Sequence, residues 1–193
     1  MPIYRFNWVA FLFFGALTAF ATGIASLSFA ASVRACAPEV TVSFVEAAPK
    51  DIFQISNRSG AGWKIRAVAI DLEGSRGKLL FDTRFGGPGE NVYQPFEALD
   101  GQVSLASQPD LQDGQTGILL TFHDFVPGQD FRFTIDVDDQ LATSDMGRTM
   151  ISGAEIEGAA IKAILVQNDG TEITEAAQFD RQGRAVLGSG ACS

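Results

Sequence analysis

The stretch DFRFTIDVDDQ (130–140) decides how this chain folds. Phe131, Phe133, Ile135 and Val137 recur at every second position, and polar residues fill the gaps. A repeat of two is that of a β-strand with one face in a core, because successive side chains point to opposite sides. Asp130, Arg132, Thr134, Asp136 and Asp138 are therefore expected on the other face. Asp136 and Asp138 would stand about 7 Å apart there, and Asp139 would join them where the strand ends.

The same alternation continues on both sides of this segment. EVTVSFVEA (39–47), DIFQISN (51–57) and WKIRAVAIDL (63–72) read as strands, the last with Trp63, Ile65, Ala67 and Ala69 on one face. KLLFD (78–82), QVSLAS (102–107), GILLTF (117–122), AEIEGAAIKAILVQ (154–167) and EITEAAQF (172–179) follow the pattern. Gly and Pro punctuate them at Ser59-Gly60, Gly74, Gly86-Gly87-Pro88-Gly89, Asp100-Gly101, Asp113-Gly114, Pro127-Gly128 and Asp169-Gly170. Asp169-Gly170, between two alternating runs, is the strongest hairpin signal. Strands at this spacing predict an all-β, antiparallel β-sandwich, jelly-roll-like, with no internal repeat and one domain over 36–193.

Ahead of that domain, residues 1–35 read as a targeting segment. Arg5 precedes an apolar run, Trp8 to Ala31, without an ionisable side chain. A short basic region, an apolar stretch and small residues make a secretory signal sequence, with cleavage sites after Ala30 or Ala35. Twenty-four uncharged residues also suffice to span a bilayer, which keeps an uncleaved N-terminal anchor helix as the alternative. Arg34 stands where a lipoprotein signal wants a small residue, arguing against lipidation of Cys36. The chain is thus expected to be secreted, extracellular or periplasmic, meeting a membrane only through this segment.

Cys36 and Cys192 sit at the two ends of the expected mature domain. An even pair in an oxidising compartment predicts a structural disulfide. No C-x-x-C spacing supports redox chemistry or a cysteine zinc site. All 23 acidic residues lie at or beyond Glu39, and Arg5 and Arg34 precede Cys36, leaving 12 of the 14 basic residues in the mature chain and a net charge near −11. Such a surface repels phosphate, so nucleic acid is excluded as a partner.

Asp136, Asp138 and Asp139 form the most suggestive chemical group. Neighbouring carboxylates repel unless a cation or a basic side chain neutralises them, and calcium takes six to eight oxygens from such groups. Asp82, Asp124 or Asp145 are candidates to complete the shell. The EF-hand pattern fails, since Leu141 replaces its Gly and Gly147 its terminal Glu. The plainer alternative is a solvated strand end paired with Arg132 or Arg148. Asp51 and Asn57 read as turn and strand-start residues, although Asn57-Arg58-Ser59 also fits a glycosylation sequon. His123 is the single histidine, without a nucleophile elbow, and reads as a loop residue. Trp63 and Tyr93 are the aromatics most suited to sugar stacking, though Trp63 shares the phase of core positions.

DIFQISNRSGAGWKI (51–65), FDT (81–83), NVYQPF (91–96), DFVPGQDFRFTIDVDD (124–139) and ISGAEIEGA (151–159) together resemble the aggregation factor core (Wreath-type) proteins. The resemblance implies a secreted β-sandwich with an adhesive or surface-structural role and a calcium requirement. The functional expectation is a non-enzymatic adhesion or matrix module that associates with itself, or with extracellular glycan or protein. The alternatives are a carboxylate-based glycan hydrolase or carbohydrate-binding module on the same fold, or a periplasmic domain acting through another partner.

Overall fold

The computed structural model describes residues 37–188, apart from 48, 49, 61, 91, 100, 145 and 146. Cys36, Cys192, the targeting segment and Asp145 therefore lie outside the described residues.

Among the described residues, ten strands and one short helix run in the order β1 Val40–Val45, β2 Asp51–Asn57, β3 Lys64–Asp71, β4 Leu80–Asp82, β5 Glu97–Ala98, β6 Gly117–Thr121, β7 Asp130–Asp138, α1 Gly153–Ile156, β8 Ala160–Val166, β9 Glu172–Gln178 and β10 Arg184–Leu187. They make two antiparallel sheets. One has the order β10-β1-β2-β7-β4, with β5 also paired to β7, and the other is β6-β3-β8-β9. All-β content in two such sheets is consistent with the predicted sandwich.

Alternation builds the core between the sheets. Phe131, Phe133, Ile135 and Val137 of β7 are buried, as are Phe53 and Ile55 of β2 and Val40, Val42 and Phe44 of β1. Phe53 lies opposite Phe133 in the ladder. Their rings stack at 5.1 Å with 6° between planes, and Phe44 meets Phe53 at the same distance. Aromatic pairs at such spacing add to area burial.

The structure departs from the strand expectations in four places. In β3 the ladder to β8 shifts between Ile65 and Ala67. A β-bulge inserts one residue and reverses the alternation beyond it. Val68 and Ile70 are consequently buried, while Ala69 points outward. KLLFD forms a strand only from Leu80, because Lys78 has a φ of +51°, in the left-handed region that breaks an extended chain. QVSLAS is not a strand; it forms an isolated bridge, Leu105 to Phe122 just past the end of β6, with Ala106 N donating to Thr121 O at 2.7 Å, and buries Val103 from a loop. AEIEGAAIKAILVQ opens as α1, where the Ser152 amide donates to Glu155 Oε2 at 2.7 Å, and becomes β8 at Ala160. β5 and β10 are too short for an alternation signal.

The Asp169-Gly170 hairpin is present between β8 and β9, with Gly170 at φ +87°. In the other sheet, β1 pairs with both β2 and β10, and Val40 lies opposite Leu187.

Candidate functional site: a buried carboxylate group at the β4–β7 edge

β4 and β7 position the site. Asp82 lies directly opposite Asp136, and Leu80 opposite Asp138. Because Phe81 and Val137 turn into the core, Asp82, Asp136 and Asp138 share the outer face. That face is nevertheless closed. Asp82 and Asp138 are 0% exposed and Asp136 2%, which replaces the solvated strand end with a buried one.

The cover is the chain leaving β4. Thr83 N, Thr83 Oγ1 and Arg84 N donate to Asp113 Oδ1 at 2.7, 3.2 and 3.1 Å. The Glu90 amide donates to Asp138 Oδ2 at 2.5 Å. Gln94 N donates to Asp82 O at 3.2 Å, and Asp136 N donates to Gln94 O at 3.2 Å. Two glycines let the backbone lie this close. A Cβ at Gly89 would sit 2.4 Å from Asp82 Oδ2 and 2.6 Å from Asp138 Oδ2, and one at Gly87 would sit 1.6 Å from Asp113 Oδ2. The sum of the first two distances bounds the Asp82–Asp138 oxygen separation at about 5 Å.

Hydrogen bonding leaves the group unsatisfied. Both Asp82 oxygens, Asp113 Oδ2, Asp136 Oδ2 and Asp138 Oδ1 are buried without a hydrogen-bond partner among the described residues. Burial of a carboxylate without donors disfavours its charged form, and like charges add to the effect. Asp82 is pushed up to about 7 from 3.8 by burial and then by Asp138 and Asp113. Burial, with Asp138, Asp51 and Asp82, raises Asp136 to about 8. Asp138 is raised chiefly by burial, against the Glu90 amide. Asp51, at the start of β2, accepts from Val137 N at 3.0 Å and is raised to about 8, again mainly by burial.

Among the described residues no basic side chain forms an ion pair with Asp82, Asp136 or Asp138, although Arg148 lies close enough to Asp138 to oppose its rise. Arg148 Nη1 pairs with Glu90 Oε1 at 2.6 Å, and its Nε donates to the Asp139 carbonyl at 3.3 Å. Among the described residues no three His, Cys, Asp or Glu side chains already stand in an arrangement that grips a metal ion. An ion between Asp82 and Asp138 would draw further oxygens from Asp113 or Asp136 after a side-chain rotation, from backbone carbonyls, or from water. The donor set is all oxygen, which suits calcium or magnesium and not zinc or copper.

Of the residues predicted from sequence, Asp136 and Asp138 belong to this group, and Asp82 is the distant acid that completes it. Asp139 is buried but serves a neighbouring turn, its Oδ1 accepting from Leu141 N at 2.9 Å while Oδ2 has no hydrogen-bond partner among the described residues. Asp124 is elsewhere, paired with Lys64 at 2.8 Å. Asp113 was not legible as a site residue, since Asp113-Gly114 reads as an ordinary turn. Asn57 is fully buried, donating to Trp63 O and Phe125 O, so the sequon is closed to glycosylation. Its Oδ1 accepts from Ser59 N, as a turn cap should. Trp63 is buried and gives no sugar platform; His123 is exposed, in the loop after β6.

Beside the acidic group the covering chain presents apolar side chains to solvent. Phe85 is 68% exposed, with Val92 and Tyr93 also exposed, and the Phe85 and Tyr93 rings lie 6.4 Å apart. Comparison with family models, with curated proteins and with solved structures finds no match for this chain.

Proposed function

We propose that this protein is an exported, non-enzymatic adhesion or matrix module of the aggregation factor core type, whose sandwich carries calcium at Asp82, Asp136 and Asp138. The observation that favours a cation here is Asp82, fully buried with neither carboxylate oxygen hydrogen-bonded among the described residues. Burying an unneutralised carboxylate costs several kcal/mol, and a divalent cation removes that cost. Oxygen-only donors on flexible loops favour calcium over magnesium, which demands near-ideal octahedral geometry.

Self-association, or binding to extracellular glycan or protein, falls to the exposed Phe85, Val92 and Tyr93 beside the cation. Exposed apolar side chains grouped on one loop suit a binding surface. The hydrolase reading is weaker. Asp82 and Asp138 are paired carboxylates of the kind glycoside hydrolysis uses, but both are sealed from any substrate by the chain through Gly89.

Thermal melting and light scattering of the purified protein in EDTA, magnesium and calcium test this. A calcium-specific rise in melting temperature with growth in particle size supports the module. A melting temperature indifferent to calcium would remove the cation from the account.

A further inference from the structure

In the β10-β1-β2-β7 sheet, Ala185, Phe44, Phe53 and Phe133 turn into the core, so the residues between them turn outward. Across the strands Arg184 lies opposite Ser43, Ser43 opposite Gln54, and Gln54 opposite Arg132. These four side chains make one transverse row, with a guanidinium at each end and a hydroxyl and an amide between. Three strand spacings, about 14 Å, separate the two arginines. The adjoining rows are uncharged over β10, β1 and β2, with Val186 opposite Thr41 on one side and Val45 opposite Ile52 on the other. Val45 is 53% exposed and Val186 43%.

Both arginines are exposed, and among the described residues neither guanidinium enters an ion pair. The acids near them are already engaged. Asp130 pairs with Arg58 at 2.8 Å and Glu97 with Lys50 at 2.6 Å. Asp180 Oδ1 accepts from the amides of Gln182 and Arg184. In a chain of net charge −9, two unmatched guanidinium groups in one row make a local positive surface.

From this row we infer a binding surface for an acidic polysaccharide, whose carboxylates or sulfates seat on Arg132 and Arg184 and whose hydroxyls meet Ser43 and Gln54. The inference goes beyond the proposed function: it names a polymer and a surface separate from Phe85 and Tyr93, and it requires no cation. A guanidinium presents paired donors to an acid group, which a neutral sugar cannot match. The face also argues against an acidic peptide. β1 and β2 are paired on both sides, so their backbones have nothing to offer a peptide strand, and a ligand is held by side chains alone. A linear chain carrying both acid and hydroxyl groups along its length fits the Arg-Ser-Gln-Arg order.

Affinity electrophoresis of the purified protein in EDTA tests this, with polygalacturonate, dextran sulfate, neutral dextran and polyglutamate as probes. Polygalacturonate or dextran sulfate is expected to retard the protein, and neutral dextran and polyglutamate to have no effect. Retardation by one of the two acidic polymers alone supports the surface and identifies the acid as carboxylate or sulfate. Added sodium chloride should weaken the binding by about tenfold. Arg132→Gln with Arg184→Gln should weaken it by about tenfold or more at an unchanged melting temperature. Lys162→Gln removes a positive charge from an exposed position of β8 in the other sheet, and should leave binding within about twofold. Retardation by neither polysaccharide, retardation by polyglutamate alone, or binding that survives the double variant overturns the inference. So does a protein whose self-association, and not its glycan binding, is lost in the double variant, since a second copy would then be the occupant. None of these outcomes bears on the cation reading, which calcium titration decides.

Discussion

Asp82 and Asp136 face each other across the β4–β7 ladder, both buried and both on the side of the sheet away from the core. Such a pairing of like charges is destabilising on an ordinary sheet face. Here Asp138 joins it from the diagonal position, and Gly89 closes the space above.

The calcium-free protein is expected to lose stability as pH rises from about 4 to about 8. Folded-state values are raised to about 7 for Asp82 and about 8 for Asp51 and Asp136, from 3.8. Between 3.8 and those values the folded state holds more protons than the unfolded chain, so stability falls with pH and levels off above them. Melting temperature in EDTA across this window checks the sign, and calcium should flatten the curve because the cation replaces the protons. A melting temperature that climbs steadily from pH 5 to pH 8 in EDTA would contradict the buried-carboxylate account.

Asp82→Asn should stabilise the calcium-free protein at pH 8 by about 1–3 kcal/mol, since it removes a buried charge without donors and supplies an amide that can reach Asp138. The same change should abolish most of the calcium-induced rise in melting temperature. Urea unfolding with and without calcium separates the two effects.

Phe85→Ser with Tyr93→Ser should reduce calcium-dependent growth in particle size while leaving calcium affinity within about twofold. Light scattering and calorimetry on the double variant measure these independently. Undiminished association would place the binding surface elsewhere on the sandwich.

Val40 and Leu187 are ladder partners, and a Cβ at Gly188 would meet the Pro38 carbonyl. The chain segments leading to Cys36 and Cys192 therefore set out from neighbouring positions. Intact mass before and after reduction should show the loss of two hydrogens that a Cys36–Cys192 disulfide entails. Closing so long a loop contributes on the order of 4–5 kcal/mol in the chain-entropy model, so reduction should lower the melting temperature markedly.

Strands with one face in the core were legible because alternation is a direct consequence of the pleat. DIFQISN became β2 residue for residue, and β7 buried the very side chains that its period of two selects. The β3 bulge was not legible, because Ala67 and Ala69 fit either face and only pairing with β8 shows where the register slips. Asp136 and Asp138 stood out as candidates through their shared strand face. Their burial did not, since the cover comes from residues some fifty positions earlier, and Asp113 enters through a turn whose sequence signals only a turn.

The most direct test is calcium titration into EDTA-stripped protein at neutral pH, with Asp138→Asn in parallel. The account predicts saturable binding, with an affinity on the order of 10⁻⁴–10⁻³ M expected of an extracellular module. Protons should be released as calcium displaces them from Asp82 and Asp136, and the variant should lose the signal. A folded wild-type protein that takes up no calcium, or a variant that binds it as well as wild type, would contradict the assignment of these buried carboxylates as a cation site.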